Sequence, residues 1–153
     1  KTMSEANLSP QEIKEFILKG IKLSRVSNPK LEKIQDQNSV IFNFEVNENT
    51  HQGAVFINID EEFVLIQIYY RFPGNFIKEK LPTVLNKINS INSISIGGFL
   101  TMVNEKNNNF LHYKENMFIT DLSSDEKFPI KDITSFININ TDMIGAFYEE
   151  MYK

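Results

Sequence analysis

The chain has 153 residues, 16 basic and 20 acidic side chains, a net charge of −4 and 41% hydrophobic content, the profile of one globular domain. Its lack of cysteine excludes disulfides, iron–sulfur ligation and thiol catalysis. Only Arg25 and Arg71 are arginines, and residues 1–75 and 76–153 each hold 8 basic and 10 acidic residues, so the sequence offers no basic footprint for nucleic acid.

No apolar run is long enough to span a membrane, and no basic segment followed by an apolar stretch opens the chain as a leader would. These features predict a cytoplasmic location, with neither membrane nor nucleic acid as partner. Residues 1–8 read as a flexible tail and residues 9–153 as a single domain. Ser9, Pro10 and Glu12 form a capping-box pattern with proline at the first helical position. Ile13, Phe16, Ile17 and Ile21 then recur at helical spacing, and Asn28-Pro29 closes the segment.

Period-two alternation follows. Val40, Phe42, Phe44 and Val46 predict a half-buried strand, Asn47 to Gly53 a polar turn, and Ala54 to Ile59 a second strand. Asp60-Glu61-Glu62 reads as a tight turn into a third strand, Phe63 to Phe72, apolar on both faces as central strands are. Pro73-Gly74-Asn75 breaks the run, and Leu81, Val84, Leu85, Ile88 and Ile91 make a second helical stripe with Pro82 in its first turn. A hairpin then runs from Phe99 to Val103, through a polar loop at 104–109, and back along Phe110 to Tyr113. Pro129 opens a last helix striped by Ile133, Phe136, Ile137, Ile144, Phe147 and Met151. The expected class is α+β, an antiparallel sheet in the order α-β-β-β-α-β-β-α.

Residues that carry chemistry are sparse. His51 reads as a turn residue and His112 as a strand residue facing solvent or a neighbour, with no ligand spacing that would make a metal site. The carboxylates of Asp60, Glu61 and Glu62 lack the alternating oxygens and glycine of a calcium loop. Gly97-Gly98 precedes a strand rather than a helix, so it cradles no phosphate, and a turn or bulge with positive φ is expected there. No Gly-x-Ser-x-Gly elbow occurs. The sequence therefore predicts no cofactor, no metal and no catalytic residue.

Thirteen phenylalanines and five tyrosines are many for this length. Most are expected in the core, while Phe63, Leu65, Tyr69 and Tyr70 are candidates for a partner or dimer surface because few helices are available to cover both faces of their strand. A protein partner and a homodimer through this sheet or the second helix are the expected interactions.

Leu85-Asn86-Lys87-Ile88-Asn89, then Gly97-Gly98-Phe99, then Leu111-His112-Tyr113 resemble the motifs of the bacterial YbjN-domain family, and Ile133 to Tyr148 is similar to that family's final amphipathic helix. The resemblance implies a fold like that of type III secretion chaperones, which are small, acidic, commonly dimeric proteins that bind extended client segments. It carries no catalytic residues over. Asn86, Asn89, Gly97, Gly98 and Phe99 match the family pattern and read as structural, with Asn86 and Asn89 capping the helix or bracing the hairpin. The chain departs from the secretion chaperones in its Asn-rich loops and isoleucine-heavy core. The function implied is a non-enzymatic bacterial protein-binding domain, chaperone-like or regulatory in stress response. The alternatives are a toxin-immunity protein acting through an acidic surface, or a small-molecule sensor with a pocket between helix and sheet.

Overall fold

The computed structural model describes residues 7–73, 81–95 and 97–152. The first helix, α1 (Pro10–Lys22), starts as its sequence dictates. The Glu12 amide donates to the Ser9 hydroxyl at 3.2 Å, and the Ser9 amide donates to the Glu12 carboxylate at 3.1 Å. Two otherwise orphaned N–H groups are satisfied reciprocally. Residues 1–6 of the expected tail lie outside the described residues, but Leu8 is tied down: its amide donates to the Leu122 carbonyl at 2.9 Å, and its side chain packs on the core.

Among the described residues six strands follow in one antiparallel sheet: β1 (Ser27–Ile34), β2 (Gln37–Val46), β3 (Asn49–Ile59), β4 (Val64–Arg71), β5 (Phe99–Glu105) and β6 (Asn108–Ile119). Helix α2 (Leu81–Ile94) stands between β4 and β5, and α3 (Ile130–Tyr152) ends the chain. The spatial order is β1-β2-β3-β4-β6-β5. The class is the α+β antiparallel one expected, and β4 is interior to the sheet. The order gains one strand, β1, in the stretch after the first helix where none is expected from sequence. It carries no apolar alternation: of Ser27–Ile34, only Leu31 packs on the core, as a partly buried neighbour. Asn28 at φ 53° and Pro29 sit where the β1–β2 register slips, which is tolerable only at a sheet edge.

Among the described residues three hairpin turns are two residues long, one of them, at 35–36, not expected from sequence. Gln35-Asp36, Asn47-Glu48 and Lys106-Asn107 each place two residues at positive φ, between 48° and 66°, the type I′ pattern that matches strand twist. The loops expected at 47–53 and 104–109 are thus two-residue turns, and residues 49–53 belong to β3. The Asp60-Glu61-Glu62 turn forms as expected, the Asp60 amide donating to the Phe63 carbonyl at 2.9 Å. Gly74 and Asn75 of the expected break lie outside the described residues.

All three helices pack against one face of the sheet. Alternate residues of each strand supply that face: Val40, Phe42 and Phe44 from β2, Val55 and Ile57 from β3, Val64, Ile66, Ile68 and Tyr70 from β4, and Leu111, Tyr113 and Ile119 from β6. Against them lie Ile13, Ile17 and Ile21 of α1, Val84, Ile88 and Ile91 of α2, and Ile133, Ile137, Ile144 and Phe147 of α3, in one continuous core. Each fully buried side chain of this size contributes roughly 1.5–3 kcal/mol. Helices α1 and α3 touch closely at Gly20, whose carbonyl accepts from the Thr134 hydroxyl at 2.7 Å.

Candidate functional site: the open face of the sheet

Because side chains alternate across a strand, burying one face of β4 against the helices sends Leu65, Gln67, Tyr69 and Arg71 to the other. The register aligns them with Asn58, Phe56 and Ala54 of β3 and with Phe118, Asn116, Lys114 and His112 of β6. No helix among the described residues covers this face.

Phe63, Leu65 and Tyr69, expected as a partner surface, do lie on it, each partly buried. Tyr70 does not. It is 3% exposed, on the helix side, against Phe44 and Phe72. One residue further along the strand means the opposite face, so the four candidates never formed one surface.

Two aromatic clusters stand on the open face. At one end the rings of Phe63 and Phe118 are 5.9 Å apart, next to Leu65, which pairs across the strands with Phe118. Nearer the middle, Tyr69 meets Phe56 at 5.9 Å and His112 at 4.9 Å. A polar row separates the clusters, the Gln67 amide donating to Asn116 at 2.9 Å. Phe118 is 60% exposed, and Phe99, on the same face of β5, 56%. A shallow hollow of about 600 Å³ opens between Gln52, Phe56, Gln67, Tyr69, Arg71 and Lys114. Phe56, Phe110 and Phe118 are not among the sequence candidates, and His112 enters there only as a strand residue facing solvent or a neighbour; strand alternation carried to the registers of β3 and β6 is the signal that groups them.

The charges here are locked to one another. Arg71 donates from Nε to His112 Nε2 at 3.0 Å and from Nη2 to both Glu105 oxygens at 3.2 and 3.3 Å. Its guanidinium also lies 4.4 Å over the Phe110 ring, a cation–π contact. Tyr69, hydrogen-bonded beside it, heads the causes that raise the Arg71 pKa. His112 is 4% exposed, and burial, then the cations Arg71 and Lys114, hold its pKa below the ordinary histidine value. Accepting at Nε2, the neutral ring keeps its proton on Nδ1.

His51 is a β3 strand residue, not the turn residue expected. It faces the helix side among Phe44, Tyr70 and Tyr148. Its Nδ1 lies 2.7 Å from the Tyr70 hydroxyl and its buried Nε2 has no hydrogen-bond partner. Burial lowers its pKa too. Among the described residues, no three or more His, Asp or Glu side chains are grouped to hold a metal ion.

The residues matching the YbjN pattern divide. Asn86 and Asn89 are exposed on α2, and the bracing of the hairpin falls to Asn92, whose amide donates to the Leu100 carbonyl at 3.0 Å and accepts from the Leu100 amide at 2.9 Å. Neither Gly97 nor Gly98 has the positive φ expected. Gly98 is required by space instead: a Cβ there would sit 2.5 Å from the Lys114 carbonyl oxygen and from Cζ of Tyr113, while one at Gly97 would meet nothing closer than 3.7 Å.

The fold thus belongs to the class of two-layer α+β domains, with helices on one side of an antiparallel sheet and, among the described residues, nothing covering the other. It is similar to the crystal structure of YbjN from E. coli, described as a candidate transcription regulator, with a TM-score of 0.50 at 9% identity over 95% of this chain and 97% of that one. The fold is YbjN-like. No family model matches the chain, and no curated protein matches it by sequence. No helix among the described residues is long and apolar enough to cross a membrane.

Proposed function

We propose that this chain is a non-enzymatic protein-binding domain, regulatory or chaperone-like, that docks an extended apolar segment of a partner across the open face of its sheet. The observation that carries the reading is the exposure of Phe118 and Phe99 on a face that the three helices leave bare. Exposed aromatics beside polar positions fit partner surfaces, where a few large anchors dominate binding. The charges of the face, among them Arg71 paired with Glu105, are mixed, so recognition rests on apolar anchors and groove shape more than on charge. The likeness of fold to YbjN supports a regulatory role.

The test is capture from cell lysate with wild-type bait and with Tyr69→Ala, Phe118→Ala and Ile139→Ala baits. Ile139 is 54% exposed on α3 and serves as the control. A stoichiometric protein partner that Ile139→Ala keeps, and that the sheet-face variants weaken about thirtyfold, or roughly 2 kcal/mol each, is the expected result. A partner indifferent to Tyr69 and Phe118 would place docking elsewhere.

A further inference from the structure

The sheet has two edges with opposite character. On β1, Asn28 at positive φ, Pro29, a register slip and the cations Lys30 and Lys33 all discourage strand addition. On β5, Phe99-Leu100-Thr101-Met102-Val103-Asn104 carries neither proline nor charge before Glu105.

Main-chain groups of alternate residues in an antiparallel strand point to opposite sides. Leu100 directs its own away from β6, since Asn92 takes both its N–H and its C=O. Met102 and Asn104 have the same parity, and no residue among those described takes their outward groups. The Asn92 amide thus acts as a short substitute strand over the first third of the edge and, among the described residues, leaves two residues open, symmetrically on either side of Val103.

We propose that β5 is the two-fold edge of a homodimer: a second copy pairs antiparallel along it, with Val103 facing Val103 of the other copy. In that register Met102 faces Asn104 of the second copy and Asn104 faces its Met102, so four main-chain hydrogen bonds form and every open group is used. Leu100 would face Lys106, already in the hairpin turn, so the ladder ends where Asn92 begins. On the open face the β-branched pair at Val103 packs across the axis, and the Thr101 hydroxyl donates to the Glu105 carboxylate of the second copy. The guarded β1 edge blocks head-to-tail growth, so pairing closes at two copies. This interface is separate from the docking reading, which stands or falls by its own variants.

The chain has no cysteine, so single thiols report the register. A non-hydrogen-bonded cross-strand pair has Cα atoms about 4.5 Å apart, inside the disulfide range of about 4.4–6.8 Å. The two Thr101 residues would be four positions out of register, about 13 Å apart. Under mild oxidation Val103→Cys is expected to cross-link into a dimer, and Thr101→Cys to remain monomeric on a non-reducing gel. In sedimentation the wild type is expected to dimerise. Thr101→Glu, opposing two carboxylates, is expected to weaken the dimer at least tenfold, and Thr101→Lys, opposing Glu105, to strengthen it. Circular dichroism melts check that each variant is folded. A wild type that stays monomeric at hundreds of micromolar, cross-linking of Thr101→Cys ahead of Val103→Cys, or a dimer indifferent to Thr101→Glu would each overturn the proposal.

Discussion

Arg71 Nε donates to Nε2 of His112 at 3.0 Å, so the guanidinium is held on the open sheet face by an imidazole that must stay neutral. A second proton on that ring would replace an acceptor with a donor aimed at a cation. The groups facing His112 are Tyr69 and Arg71 from β4, Thr101 and Glu105 from β5, and Lys114 and Phe110 on its own strand. Only Glu105 is anionic, and Arg71 already engages it.

Acid is therefore expected to destabilise the protein through its histidines. Both His112 and His51 have folded-state pKa values lowered from 6.5, so between the folded value and 6.5 the unfolded chain binds more protons. Stability is fully present above about pH 6.5 and declines as pH falls below it, until the folded value is reached. The slope is up to about 1.4 kcal/mol per pH unit for each histidine. Urea unfolding from pH 8 to pH 5 is expected to show this decline, and His112→Gln to flatten it. A wild-type midpoint that does not move across this range would contradict the arrangement.

Gly98 is expected to be irreplaceable and Gly97 not. The Gly98 amide donates to the Tyr113 hydroxyl at 3.1 Å, and that hydroxyl donates in turn to the buried Asn140 side chain. Burial also pushes the Tyr113 pKa upward, so the phenol remains a donor. Gly98→Ala forces a methyl against backbone and ring and is expected to cost about 1–3 kcal/mol. Gly97→Ala is expected to change stability by less than about 1 kcal/mol. Tyr113→Phe strands the polar groups of Gly98 and Asn140 and is expected to cost about 1–3 kcal/mol. Urea midpoints rank the three, and equal effects from the two glycines would refute the close-approach account.

The same contrast shows what could be read in the sequence. Local chemistry was legible: the Ser9–Glu12 box, the alternation from Val40 to Val46, and the prolines at 82 and 129 each fixed an element within a few residues. β1 was not, because an edge strand that buries little leaves no period-two signature and its Pro29 reads as a breaker. The turns at 47–48 and 106–107 read too long from sequence because their positive-φ positions hold Asn, Glu and Lys rather than glycine, and the turn at 35–36 is hidden along with β1. The open face was half legible. Alternation within one strand sorts Tyr69 from Tyr70, but bringing Phe118, Phe56 and His112 beside Tyr69 needs the cross-strand register, which is set by pairings distant in sequence.

Gly20→Ala is expected to destabilise the fold even though alanine is favoured over glycine in a helix by about 1 kcal/mol. A Cβ at position 20 would lie 2.9 Å from Cγ2 of Ile133 and 3.1 Å from the Ile130 carbonyl oxygen. α1 and α3 would have to part, straining the 2.7 Å hydrogen bond from Thr134 to the Gly20 carbonyl. Overpacking of about 1–3 kcal/mol outweighs the propensity gain. Thermal unfolding is expected to show a lower midpoint, and a raised one would mean that the helices separate at little cost.

Glycine is expected to help where the chain now does without it. Asp36, Glu48 and Asn107 occupy the second position of their turns at φ 66°, a left-handed conformation that costs a residue with a Cβ about 1 kcal/mol or more. Asn47-Gly is the favoured pairing for a type I′ turn, so Glu48→Gly is the substitution of choice. It leaves in place the contact between the Asn47 side chain and Glu149 of α3. Glycine also adds freedom to the unfolded chain, which offsets part of the gain, and a net stabilisation of about 0.5 kcal/mol is expected. Asp36→Gly should behave alike, at a turn that joins the edge strand β1 to the sheet. Urea midpoints of the two single variants and the double variant check this, with additivity expected because the turns lie at opposite ends of β2. If either variant lowers the midpoint, the left-handed geometry assigned to that turn is wrong.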